Sequence, residues 1–96
     1  MGFQIEITAP AIADLAEIVA FIAQHNPDAA ATLGNRLLDA ALGLADMPHK
    51  GSTYPHLAKI RKLTVRPFRI FYRVKESRKV VEVLHFWHSA RREPNL

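Results

Sequence analysis

The sequence predicts an α+β fold: β-α-α-β-β-β, with a helical hairpin packed on one face of a small antiparallel sheet. Three observations predict it. Two consecutive segments between residues 10 and 47 repeat apolar residues at helical spacing, the segments on either side alternate with a period of two, and prolines and glycines fall between these blocks. With 96 residues the chain has room for one domain, residues 1–96.

The first segment, Phe3 to Thr8, sets Phe3, Ile5 and Ile7 against Gln4, Glu6 and Thr8, the pattern of a half-buried strand. Thr8 is placed to cap a helix with Pro10 in its first turn, and Ile12, Leu15, Ala16, Val19 and Ile22 form its stripe up to about Gln24. Asp14, Glu17 and Gln24 are read as outward-facing. Asn26-Pro27-Asp28 both breaks this helix and starts the next, since Asn26 can cap, Pro27 has the fixed φ of a first helical residue, and Asp28 favours the positive helix end.

Helix two is read from Pro27 to Asp46. Ala30, Leu33, Leu37, Ala40, Leu44 and Met47 make one stripe, and Leu38 and Leu42 lie nearly opposite, so this helix is expected to pack against two things. Gly34 and Gly43 each cost about 1 kcal/mol relative to Ala, which predicts close approach of a neighbouring backbone. Pro48 to Leu57, with its prolines, glycine and small polar residues, reads as a surface loop holding His49, Lys50, Tyr54 and His56.

Three strands complete the chain. Ile60 to Arg66 ends at a turn at Pro67, because proline cannot join a central ladder. Phe68 to Lys75 puts Phe68, Ile70, Tyr72 and Val74 on one face and Arg69, Phe71, Arg73 and Lys75 on the other. A hairpin at Glu76-Ser77-Arg78 leads to Lys79 to His88, apolar on both faces as a central strand should be, followed by a polar tail.

Charge divides the chain. Residues 1–48 hold one base, Arg36, and six acids, whereas residues 49–96 hold twelve bases and three acids; the halves carry −5 and +9, giving the net +4. A basic half meets an anionic partner, nucleic acid or an acidic protein, or else simply solvates the outer sheet face. Lys59, Lys62, Arg73, Arg91 and Arg92 are the candidate target-binding cations, and Leu38 and Leu42 the candidate apolar anchors for a partner. Cysteine is absent, which excludes disulfides, thiolate metal sites and a cysteine nucleophile and suits a cytoplasmic location. The N-terminus has neither the basic-then-apolar order of a signal peptide nor a membrane span. No metal-ligand spacing, phosphate-binding glycine loop or catalytic carboxylate pair occurs, so neither cofactor, metal nor small-molecule substrate is expected.

Arg61-Lys62-Leu63, then PFRIFYR (residues 67–73), then His88-Ser89-Ala90-Arg91-Arg92, behind a helical hairpin, resemble the RelE/ParE toxins of type II toxin-antitoxin systems, which include plasmid stabilisation proteins. The resemblance spans nearly the whole chain. It implies a toxin neutralised by a cognate antitoxin, which Leu38 and Leu42 would help to bind. Its branches differ in target: RelE-like members cleave mRNA on the ribosome, and ParE-like members poison DNA gyrase by binding it. As an endoribonuclease the chain would use His88 as the acid or base and Arg61 and Arg69 as phosphate clamps, without metal. Many nucleases of the family place a tyrosine near that histidine, where this chain has Ser89, and the SARRE ending is closer to the ParE-like branch. A free-standing nucleic-acid-binding domain is the third reading, though the sequence has no helix-turn-helix or RNP-like aromatics.

Overall fold

The computed structural model describes residues 2–54 and 57–96, with only the backbone of Ala58. His56, read as a loop residue, lies outside the described residues. The order is β1 (Gln4–Ile7), α1 (Ala9–Ala23), α2 (Pro27–Leu42), a 3-10 turn (Gly43–Ala45), β2 (Ser52–Tyr54), β3 (Leu57–Val65), β4 (Phe68–Lys75), a second 3-10 turn (Glu76–Arg78) and β5 (Val80–His88). No helix among the described residues is long and apolar enough to cross a membrane.

The helix starts follow their capping residues. Thr8 accepts the Ala11 N–H through its hydroxyl oxygen while donating that hydroxyl to Val83 O at 2.8 Å, so one residue caps α1 and ties it to the last strand. Asn26 Oδ1 accepts the Ala29 N–H at 3.0 Å and Pro27 opens α2. The two glycines differ from expectation: a Cβ at Gly34 would meet a Val19 methyl at 3.0 Å, a side chain and not a backbone, and one at Gly43 would meet nothing within 4 Å. Gly43 is where α2 gives way to the 3-10 turn, so it sits outside the packed helix interior.

The sheet order is β1-β5-β4-β3-β2. Four strands are antiparallel as the hairpins require, but β1 joins β5 in parallel, with Gln4 opposite Val80 and Ile7 opposite Val83, which makes the sheet mixed. The segment between Pro48 and Leu57 contributes the short strand β2, Ser52 opposite Lys62, which its turn-forming composition did not signal.

The hairpin covers one sheet face. Ala11, Leu37 and Ala41 pack with Phe68, Ile70, Val83 and Phe86, while Leu44 packs with Tyr72 and Val81. The stripe on α1 is displaced from the expected one: Leu15, Ile18 and Ile22 join Ala11 in the core, and Ile12 is 57% exposed. On α2 the expected stripe is buried at Ala30, Leu37 and Leu44 and half-buried at Leu33 and Ala40, beyond which Met47 is exposed. Gly51 is required by close approach, since a Cβ there would lie 2.7 Å from both Lys62 O and Tyr72 Oη. Its N–H donates to that buried phenol oxygen at 2.8 Å, and burial raises the Tyr72 pKa above its ordinary value.

Candidate functional site

Cross-strand partners share a sheet face, so the register assigns the candidate residues that it pairs within the strands. Phe68, Ile70 and Tyr72 face the helices, and so do their partners His88, Phe86, Leu63 and Arg61. Arg69, Phe71 and Arg73 face the other way, together with Lys62, Trp87 and Glu82. The nuclease trio therefore does not converge. His88 and Arg61 lie on the helix side, opposite Phe68 and Tyr72 respectively, about 13 Å apart along the strand, and Arg69 lies on the far face. The His88 ring packs edge-on against Phe68 at 5.2 Å, and its Nδ1 accepts the Ala90 N–H at 3.0 Å. Arg61 Nη1 donates to Gly51 O at 2.8 Å and to His49 O at 3.4 Å.

The far face gathers aromatics and cations. Tyr54 from β2 stands edge-on to buried Phe71 at 6.0 Å, and Lys62 Nζ lies 5.9 Å from the Tyr54 ring centre. Arg91 stacks over Trp87, its guanidinium carbon 4.0 Å from the ring centre, a contact worth about 0.5–1 kcal/mol at an exposed site. Trp87 Nε1 donates to Arg92 O at 2.8 Å, which holds the tail against the strand. Glu93 then reaches back to Arg69 at 3.9 Å and accepts the Tyr54 hydroxyl; that hydrogen bond is the main reason the Tyr54 pKa is raised. The result is a strip of Tyr54, Lys62, Arg69, Trp87 and Arg91.

The expected target-binding cations thus fall into two groups. Lys62, Arg91 and Arg92 belong to this strip and its tail, whereas Lys59 and Arg73 line a cleft at the other end of the strands, beside the Glu76–Arg78 turn. Arg73 Nη2 donates to Glu82 at 2.5 Å and Lys75 Nζ lies 3.5 Å from the same carboxylate, so Glu82 is held below its ordinary pKa, chiefly by Arg73.

On the helix side, α1 and the ends of β4 and β5 leave an apolar groove of about 490 Å³. Ile18, Ile22, Leu33, Phe68 and Phe86 form its floor and Phe21, 66% exposed, stands on its wall. β1 ends opposite Val83, so among the described residues no strand lies beside the rest of β5 on that edge. There Asp14 reaches across to His85 Nδ1 at 2.7 Å, half-buried where an outward-facing acid was expected. Leu38 is half-buried and Leu42 is 48% exposed, on α2. Phe21 was missed by the sequence reading, although an aromatic one position off the Leu15-Ile18-Ile22 stripe is a legible sign of a second apolar surface. The Trp87–Arg91 stack and the Glu93 contacts depend on how the tail folds back, which no periodicity encodes. Among the described residues, no three His, Cys, Asp or Glu side chains are grouped to hold a metal.

Residues 5–93 match the family model described as the ParE toxin of the type II toxin-antitoxin system, parDE. No curated protein matches. Among solved structures, the fold is similar to the chromosomal ParDE toxin-antitoxin system from P. aeruginosa, with TM-score 0.77 and 23% identity, covering 90% of this chain and 95% of that one. It is also similar to the RelBE2 toxin-antitoxin complex from Mycobacterium tuberculosis (TM-score 0.69, 20% identity, 92% and 99% covered). The isolated E. coli RelE toxin matches with TM-score 0.69 and 15% identity, over 95% of this chain and 88% of that one.

Proposed function

Because the chain belongs to the ParE toxin family of type II toxin-antitoxin systems, we propose that it inhibits DNA gyrase by binding it and that a cognate antitoxin neutralises it. The observation that carries this reading is the strip on the far sheet face. Trp, Tyr and Arg are the residues that dominate protein-protein binding energy, and Trp87, Tyr54, Arg69 and Arg91 lie there on rigid strands or stacked on one another. An RNA-cleaving site needs a proton-transfer group beside its phosphate clamps, and the separation of His88 and Arg61 from Arg69 favours binding over cleavage.

The antitoxin is assigned to the helix side. An amphipathic segment that folds on binding needs apolar anchors to offset its ordering cost. The groove beside Phe21 supplies one such surface and Leu38 with Leu42 another. Separate surfaces for target and antitoxin leave Arg91, which both stacks on Trp87 and lines the groove, as the residue through which an antitoxin would disturb target binding.

Purified protein is added to a gyrase supercoiling assay and, in parallel, to a translating extract with mRNA cleavage mapping. Inhibited supercoiling with intact mRNA is the expected result. Codon-positioned cuts with unaffected gyrase would overturn the reading in favour of a ribosome-dependent endoribonuclease.

A further inference from the structure

At the end of the sheet away from Pro67 lies a cleft of about 780 Å³ that shares no lining residue with the apolar groove. Its walls carry Lys59, Arg61, Arg73, Lys75 and Arg78, with His49 among them. Glu82 offsets Arg73 and Lys75, and Glu76 is taken up by His49 at 2.5 Å. Lys59, Arg61 and Arg78 have no carboxylate partner among the described residues. Arg61 is also fixed in place: Nη1 is held by the carbonyls of His49 and Gly51, and Gly51 is itself locked to buried Tyr72. Its other N–H groups meet no protein acceptor among the described residues. A guanidinium held this way binds an anion without first losing side-chain freedom.

We infer that this cleft binds the phosphodiester backbone of a nucleic-acid duplex. A peptide partner would need apolar pockets for its side chains, and Val74 is the one apolar residue of the lining among the described residues. Recognition of unpaired bases would need Phe, Tyr or Trp to stack on, and none lines the cleft among the described residues. What remains is a concentration of cations suited to closely spaced phosphates, independent of base sequence. The inference goes beyond the gyrase reading and does not depend on it.

The test is fluorescence anisotropy of the full chain, without gyrase, against a labelled duplex DNA, a duplex RNA of the same sequence and a poly-glutamate peptide, over a range of salt. Lys59→Glu/Arg78→Glu is compared with Arg36→Glu/Arg66→Glu, an equal change of charge at the opposite end of the molecule. The cleft variant is expected to lose about tenfold or more in duplex affinity and about two units from the slope of log K against log salt, and the control much less. Binding of DNA alone, RNA alone or both identifies the source of the backbone. Equal losses in the two variants, no duplex binding, or preference for poly-glutamate would each overturn the inference. Circular dichroism of both variants establishes that they are folded.

Discussion

Trp87 and His88 are neighbours in β5, yet their side chains serve two surfaces of opposite character. Trp87 joins Arg69 and Arg91 on a cationic, aromatic strip, and His88 borders an apolar groove rimmed by Asp14 and Glu17. The two-residue period of a strand is sufficient for this separation. A sheet covered by helices on one side thus presents two chemically distinct surfaces within one short strand.

Removing what both faces rest on has the largest effect. Leu37 is fully buried between α2 and the sheet, so Leu37→Ala is expected to cost about 3 kcal/mol and to weaken target and antitoxin binding together; urea unfolding with both binding assays checks it. Substitutions on the faces should instead separate the functions. Trp87→Ala is expected to lose about 2 kcal/mol of target affinity, about 30-fold, with antitoxin affinity nearly unchanged, and Phe21→Ala should show the reverse. Isothermal titration against each partner decides this, and parallel losses in both variants would show that the faces are one site.

The helix-side clamp gives a smaller and purely structural effect. Tyr72→Phe leaves the buried Gly51 N–H without its acceptor, a loss of about 1–2 kcal/mol in chemical denaturation. The smallest effect is electrostatic and belongs to the far face. The pKa of Glu82 is depressed by Arg73, so the stabilisation is complete above the ordinary carboxyl value of 4.5 and is lost as pH falls through the lower folded-state value. Glu82→Gln should flatten the acid limb of the stability profile while leaving stability near pH 10 closer to that of the parent chain after subtraction of the neutral-pH difference.

Most of the architecture was legible because it rests on local rules. Thr8, Asn26 and Pro27 mark both helix starts through capping, and alternation sorted β4 correctly into a core face and a cationic face. The errors have physical causes. Ile12 and Ala11 are adjacent, and an apolar count favours the larger side chain, whereas the close packing of α1 on the sheet selects the alanine. The parallel pairing of β1 with β5 joins segments far apart in the chain, with Thr8 bonded to Val83 O at its end, and no sequence periodicity reports strand direction. The candidate site was legible as residue types but not as groupings. The family resemblance groups Arg61 and Arg69 as phosphate clamps, but the hairpin register places them on opposite faces.

That parallel pairing also sets when the sheet can first close. Gln4 to Ile7 leave the ribosome early and wait for Val80 to Val83, with which they pair. At about 5–20 residues per second, synthesis of the intervening chain takes about 4–14 seconds. During that interval the Trp87 strip does not exist, because it belongs to the same closing strand. Closure of the sheet is thereby tied to synthesis of the chain through β5, and a product truncated before Val80 lacks the strand that joins β1 to β4.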